Sequence, residues 1–414
     1  VRSAKPARKV TEPAPEASAP WLTITVDAGV LQDNIAVFRQ LVAPTTQLMA
    51  VVKADAYGHG LLIAAEAFLA GGGDMLGVHS LAEARRLREA GQSVDILVLG
   101  PVSGAEALQA AALGVEVTLP GLDPIREICT SLAASQHHPS QQESNQLEAQ
   151  NFAPRELRAH LKVDTGVNRQ GIRPAEWPAV REILKDCPQL NLVGIASHFA
   201  DIEDTTDHVF AEEQMSRFDD FVALVADSGY DNLKRHMTCS AATLLWPQAR
   251  GDIARVGIGA YGIWPSREIF VSVRQQCQPE VVLQPALTWQ VRISQVREVP
   301  AGETVGYGRT WKAVTDSRIA VLPVGYADGW PRGLGGRAHV LVGGRRAPLV
   351  GRICMNLCMV DVTNVPDVHA GDMVVLLGRQ AEEVITAEEL ADHLGTIAYE
   401  VLTLPGPSWT RRIL

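Results

Sequence analysis

The chain has 414 residues, more than one small hydrophobic core requires, so two domains are the default. At 46% hydrophobic and 20% charged residues its make-up is that of an ordinary globular protein and excludes a disordered chain. A net charge of -10 leaves no basic face for a nucleic-acid backbone. No apolar run approaches the ~20 residues of a membrane span.

Residues 1–20, rich in Pro, Ala, Lys and Glu, read as a disordered tail or linker without an apolar signal core. Two origins stay open, the stub of a cleaved targeting peptide and a linker from an upstream domain. The first would place the protein in an organelle lumen; otherwise a cytoplasmic location is expected. From Gln47 onward, short apolar β-rich runs alternate with stretches of helical spacing. Strands are expected at Gln47–Ala54, Asp74–His79, Val94–Gly100, Val115–Leu119, Arg158–Thr165, Leu190–His198, Lys234–Ser240 and Ile253–Tyr261. Helices such as Leu81–Ala90 and His208–Ser228 lie between them. Eight β/α units with nearly continuous apolar strands predict a parallel (β/α)8 barrel of the TIM type over residues 21–280. Residues 134–153 interrupt it with a polar run read as a surface insertion, its His137 and His138 solvated rather than metal-binding.

Over residues 281–414 the pattern changes to a mainly β domain. Runs such as Ala286–Val296, Arg318–Val324, Ala338–Val342 and Met359–Val362 follow one another with Gly/Pro turns, and one short helix is expected near Thr386–His393. Leu22–Val26 reads as a stray strand of that domain. The six cysteines are scattered, and no second pair or His cluster joins Cys354 and Cys358 into a zinc site. Buried free thiols in a reducing compartment are expected, and no metal.

Lys53 sits where the first barrel strand gives way to a Gly-rich turn, in Val51-Val52-Lys53-Ala54-Asp55-Ala56-Tyr57-Gly58-His59-Gly60. An amine at a strand's C-terminal end faces the barrel mouth, and an apolar lead-in lowers its pKa toward Schiff-base chemistry. A lysine snorkelling from the barrel rim is the plainer alternative. Ser240, after the seventh strand, and Arg255-Val256-Gly257-Ile258-Gly259, around the eighth, fall where this fold binds phosphate. Equally, Gly257 and Gly259 can simply let a strand bend.

The segment around Lys53 closely resembles the cofactor-lysine motif of the alanine racemases, a family that uses pyridoxal 5'-phosphate (PLP). The resemblance continues through His160-Leu161-Lys162-Val163-Asp164-Thr165-Gly166-Val167-Asn168-Arg169, Ser197-His198-Phe199-Ala200, Cys239-Ser240-Ala241-Ala242 and Arg255-Val256-Gly257-Ile258. It ends in Glu303-Thr304-Val305-Gly306-Tyr307-Gly308-Arg309-Thr310-Trp311 and Val324-Gly325-Tyr326-Ala327-Asp328-Gly329-Trp330, the blocks standing in family order. What the resemblance implies is a two-base racemase of small amino acids. Lys53 carries PLP and acts on one face of the substrate. Tyr307 acts on the other, donated across a homodimer interface and helped by His198 and Arg255. Arg255 would face the pyridine nitrogen and so weaken the cofactor as an electron sink. Tyr57, Ser240, Gly257, Ile258 and Tyr399 would hold the phosphate. Arg169 would sit near the substrate carboxylate, oriented by a carbamylated Lys162. Met355 would reach that carboxylate from the partner subunit through its backbone N–H, and Tyr326 would line the access corridor, also from the partner.

Three positions depart from the family pattern. Asn356 stands where Asp is usual beside the carboxylate, Gln170 replaces an apolar residue, and His79 a small one. Asn adds donors that Asp lacks, so Asn356 is a candidate for admitting a hydroxylated side chain. L/D-alanine interconversion is the leading expectation, with a serine or broad-specificity racemase as the alternative. A barrel-type PLP decarboxylase fits less well, since no acidic partner for the pyridine nitrogen is apparent. A non-catalytic PLP carrier would lack the β domain.

Overall fold

A computed structural model describes residues 20–137, 156–276, 280–406, 409 and 411–414. Its first strand, β1 (Leu22–Val26), is followed by eight parallel ones. These are β2 (Gln47–Val51), β3 (Met75–Val78), β4 (Asp95–Val98), β5 (Glu116–Leu119), β6 (Leu157–Lys162), β7 (Leu190–Ala196), β8 (Lys234–His236) and β9 (Ile253–Val256). They pair in the order β8-β7-β6-β5-β4-β3-β2-β9, each ladder parallel. Strands buried on both faces must be apolar throughout, and Met75–Val78 and Ile253–Val256 are buried at every position. All eight expected strands form, several of them shorter than expected. β8 is only three residues long because Thr238 and Cys239 leave the ladder. The gap between β8 and β9 is closed by single bonds instead. Asp252 N–H donates to Arg235 O (2.9 Å), Arg235 N–H to the Asp252 carboxylate (2.7 Å), and Arg255 N–H to Thr238 Oγ1 (3.1 Å).

The helices cover the strands with apolar faces and start at built caps. Ser80 and Glu83 form a capping box at Leu81–Glu89, and Ser103 and Glu106 do so at Gly104–Leu113. Inside the barrel, Met49, Met75, Leu97 and Ile253 plug one part of the lumen, whereas Glu116, His160, His236 and Arg255 make the rest polar. The helix Leu122–His137 runs into the first positions of the expected insertion. Residues 138–153 of that insertion, and residues 1–19 of the expected tail, lie outside the described residues.

The second layer is a ten-stranded sheet, antiparallel apart from one parallel edge pairing. It is built from β10 (Leu287–Arg292) and β11 (Gln295–Val299), then β14 (Ser317–Leu322), β15 (His339–Val342), β16 (Arg345–Val350), β17 (Cys358–Asp361), β18 (Met373–Gln380), β19 (Glu383–Ile385) and β20 (Arg411–Ile413). A separate hairpin joins β12 (Thr304–Val305) to β13 (Trp311–Lys312). β1 pairs antiparallel with β10 and parallel with β20, so the stray strand does belong to this sheet. Trp289 and Trp330 stack edge-to-face in its core, their centroids 5.5 Å apart. The helix expected near Thr386–His393 forms as Ala387–Leu394, and a further one, Ala398–Thr403, was not foreseen. Of the described cysteines, Cys187 and Cys358 are buried free thiols, while Cys129, Cys239 and Cys354 are free but only half-buried, so the expected burial holds in part. Among the described residues no helix is long and apolar enough to cross a membrane.

Candidate active site

Lys53 follows β2 directly, and the strand stops at Val51 rather than at the expected Ala54 because the chain reverses its hand. Ala54, Asp55, Ala56 and Tyr57 have φ of 56°, 51°, 57° and 49°, a full left-handed turn without a glycine. Such a conformation costs about 1–2 kcal/mol per L-residue and persists only where its surroundings dictate it. Those surroundings are visible. Buried Arg411 donates from Nε to Gly58 O (2.9 Å) and pairs with Asp55 (3.5 Å), while Asp55 accepts from Leu61 N–H (3.1 Å). Tyr261 Oη donates to Val51 O (2.8 Å) behind the turn. The amine is thereby aimed into the barrel mouth. Burial, then the charges of Arg169 and Arg255, hold its pKa below the ordinary lysine value.

Lys53 lines a cavity of about 490 Å³ whose far end is the expected phosphate cradle. There Ser240 Oγ accepts from Gly257 N–H (3.0 Å) and Gly259 N–H (3.2 Å). With both lone pairs engaged, its hydroxyl hydrogen is left to donate outward. A Cβ on Gly257 would stand 2.6 Å from Tyr57 Oη, so only glycine lets that hydroxyl close over the cradle. Ile258 opens the turn that follows. Tyr399 also lines the cavity, but its hydroxyl donates to Glu203 (2.8 Å), a residue the sequence reading missed. Amine, hydroxyl cradle and Arg255 lining one chamber fit a group that carries both an aldehyde and a phosphate.

Arg255 crosses the chamber floor, 6% exposed. It donates to the carbonyls of Ser197 (2.8 Å), His236 (3.0 Å) and Met237 (3.1 Å), and to two imidazoles, His236 Nδ1 (2.6 Å) and His198 Nδ1 (3.2 Å). Burial pulls its pKa down to about 10, so it stays charged at neutral pH. Arginine only donates, which fixes the protons beyond it. His236 Nδ1 must accept, so its Nε2–H donates to His160 Nδ1 (2.8 Å), and His160 Nε2–H donates to the Glu116 carboxylate (2.8 Å). Glu116 in turn pairs with Arg158. A Cβ on Gly194 would lie 2.1 Å from His160 Nδ1, so this glycine makes room for the ring. By the same logic His198 carries its hydrogen on Nε2. Burial, then the Arg255 charge, keeps both His198 and His236 well below the usual histidine pKa.

A second space of about 430 Å³ adjoins the first through Lys53, Arg169, His198 and Arg255, and is lined further by Lys162, Gln170 and His79. Two of the three departures from the family pattern therefore face the same chamber. Burial, then the neighbouring charges of Arg255 and Arg169, drives the Lys162 pKa well below its ordinary value.

Tyr307, Tyr326, Met355 and Asn356 do not line either space within one chain. Tyr307 stands on a turn after β12 and is 72% exposed; Tyr326 and Met355 are exposed as well. The last two are carried on one stapled unit, for Tyr326 N–H donates to Cys354 O (3.1 Å) and Ala327 N–H to Met355 O (2.9 Å). Asn356 belongs to the staple. Its amide donates to both oxygens of Asp328 (3.3 and 3.2 Å), which also accepts from Gly325 N–H (2.9 Å). The amide hydrogen proposed for a substrate hydroxyl is thus directed at Asp328. Asn356→Asp should set two carboxylates face to face and raise the Michaelis constant about fivefold, the size of one exposed charge pair. Adding Asp328→Asn should restore it; failure of the double variant to recover would separate this pair from substrate binding.

Residues 26–265 match the family description "Alanine racemase, N-terminal domain", and residues 286–413 match "Alanine racemase, C-terminal domain". An alanine racemase of Nostoc sp. is 36% identical over 385 residues, 92% of either chain. One from Desulfosudis oleivorans is 38% identical over 395 residues, covering 92% of this chain and 93% of that one. Among solved structures, alanine racemase from Bacillus anthracis with bound L-Ala-P superposes with a TM-score of 0.84 at 31% identity, covering 96% of each chain. That from Bartonella henselae with covalently bound pyridoxal phosphate gives 0.79 at 26% identity, covering 96% of this chain and all of that one. With both domains matched in order over barrel and β sheet, the chain belongs to the alanine racemase family.

Proposed function

We propose that this protein interconverts L- and D-alanine as a homodimer, with PLP held on Lys53 and each site completed by the partner subunit. The observation that carries this is the single chamber joining the depressed-pKa amine of Lys53, the Ser240–Gly257 cradle and Arg255. Bound there, PLP supplies the chemistry that acidifies the substrate's α-proton. Ser240, Gly257, Ile258 and Tyr57 would hold its phosphate. Tyr399 can join them only by releasing Glu203.

Racemisation needs a proton removed on one face and returned on the other. Lys53, its pKa lowered by burial and two guanidiniums, serves one face. Tyr307 of the partner subunit serves the other. A phenol near pKa 10 is a poor base at neutral pH unless its anion is stabilised. The Nε2–H of His198 is the donor for that anion, its tautomer locked by Arg255. Arg169 faces the substrate carboxylate, and Met355 of the partner subunit adds its backbone N–H. Lys162 as a free amine is the form that adds CO2, giving a carbamate anion and releasing one proton. That anion would offset the positive charge of Arg169.

The test is turnover of L-alanine to D-alanine together with borohydride reduction of the PLP-loaded protein. Reduction should fix the cofactor on Lys53 in the peptide map, and the native mass should show one added CO2 that Lys162→Met lacks. A protein that takes up no PLP, or leaves L-alanine optically unchanged, would overturn the reading.

A further inference from the structure

We propose that Glu203 and the phosphate of the cofactor compete for the one hydroxyl hydrogen of Tyr399, so that this carboxylate sets how tightly the phosphate end is held. The inference rests on reading the cavity as a PLP site. A phenol donates a single hydrogen. In the structure that hydrogen goes to Glu203 Oε2 at 2.8 Å, although both residues line the cavity that contains Ser240, Gly257 and Ile258.

The groups around Glu203 bring no positive charge: the Tyr399 hydroxyl and the Cys239 thiol hydrogen-bond to it and ease its ionisation, while Asp204 opposes it. Tyr399 comes from the helix Ala398–Thr403, Cys239 from the end of β8, Tyr57 from the left-handed turn, and Asp204 from its own loop. Among the described residues Glu203 makes no ion pair, while Lys53, Arg169 and Arg255 line the same cavity without reaching it. Burial, the largest influence, raises the Glu203 carboxyl above its ordinary pKa, and its charge helps push the Cys239 thiol up to about 12. A phosphate arriving at this end brings a second anion to the same hydrogen. Ionised Glu203 opposes it both by holding the Tyr399 hydroxyl and by like-charge repulsion. Protonated Glu203 carries no charge to repel it and holds the hydroxyl only as a neutral acceptor. The conflict is therefore weakest at acid pH and grows as pH rises through the Glu203 pKa.

The experiment uses the full chain, stripped of cofactor and reloaded by equilibrium dialysis against PLP or against pyridoxal, which lacks the phosphate. Wild type, Glu203→Gln, Tyr399→Phe and the double variant are compared from mildly acidic to mildly alkaline pH. Glutamine keeps an acceptor for Tyr399 while losing the charge, so the fold is preserved. Taking the ratio to wild type cancels the cofactor's own titration. Glu203→Gln should bind PLP about tenfold tighter than wild type at alkaline pH, the scale of one charged against one neutral acceptor. The advantage should vanish at acid pH, be absent for pyridoxal, and shrink when Tyr399 is also Phe. A ratio that ignores pH, or one equal for PLP and pyridoxal, overturns the competition while leaving the PLP site standing. A wild-type chain that binds no PLP overturns the site reading itself.

Discussion

An inactive Lys53→Ala protein mixed with an inactive Tyr307→Phe protein should regain about a quarter of the wild-type rate once subunits exchange. Random exchange across a two-fold interface makes half of the dimers hybrid. In each hybrid one site holds both intact residues and the other neither. The expectation follows from where the two groups sit. Lys53 is fixed inside the barrel mouth, whereas Tyr307 stands 72% exposed on the β12–β13 hairpin and outside its own chain's cavity. Each single change should cost about 100-fold or more, the usual contribution of a positioned acid or base. Differently tagged subunits would establish that exchange has occurred. A mixture that stays inactive after proven exchange would mean the two residues never share a site.

The second large effect is expected from Glu116, the far end of the chain of hydrogen bonds that begins at Arg255. Glu116→Ala leaves the His160 Nε2–H unpaired in the barrel core and should lower unfolding stability by about 3 kcal/mol. Arg158 adds little, being 40% exposed. Glu116→Gln keeps an acceptor and isolates the charge. Burial alone would raise the Glu116 carboxyl, but the hydrogen bond from His160 and the charges of Arg158 and Lys234 outweigh it and leave the pKa below its ordinary value. A carboxyl depressed on folding stabilises above its unfolded pKa and loses that contribution as pH falls through the folded one. Denaturant midpoints should therefore drop more steeply in acid for wild type than for Glu116→Gln. Equal slopes would show that the carboxylate is not held by this network. Since the network ends on Arg255, the Gln variant should also lower kcat with little change in KM.

The barrel was legible because its strands are near-continuous apolar runs at regular spacing, and the β domain because its runs follow one another without helices. The same burial on both faces hid the proton chain. In Glu116-Val117-Thr118-Leu119 or Ala159-His160-Leu161 nothing distinguishes a side chain pointing into the lumen from one pointing at a helix. Polar residues inside otherwise apolar strands were the available signal for Glu116 and His160, whereas His236 follows Lys234 and Arg235 in a strand with no apolar residue to set it off. The left-handed turn after Lys53 had none, since Ala-Asp-Ala-Tyr carries no glycine, and the strand was drawn three residues too long. The helix Ala398–Thr403 was too short for periodicity to register. Lys53, Ser240, Gly257 and Arg255 were found because the fold says where strand ends meet, and the structure does bring them into one cavity. Asn356 was singled out for a substrate contact, and its pairing with Asp328 was not foreseen because it depends on a loop 28 residues away. Glu203 sits in an irregular loop where spacing carries no information.

The clamp that Arg411 places on Gly58 spans 353 residues of sequence. During synthesis the strand carrying Lys53 emerges first and its neighbours can begin to assemble, but the turn that aims the amine waits for a residue made 353 positions later. Ribosomes add roughly 5–20 residues each second, so that delay is on the order of tens of seconds. The geometry that aims the amine is therefore set only once the strand carrying Arg411 has docked, so barrel and β domain must assemble together before the turn is fixed.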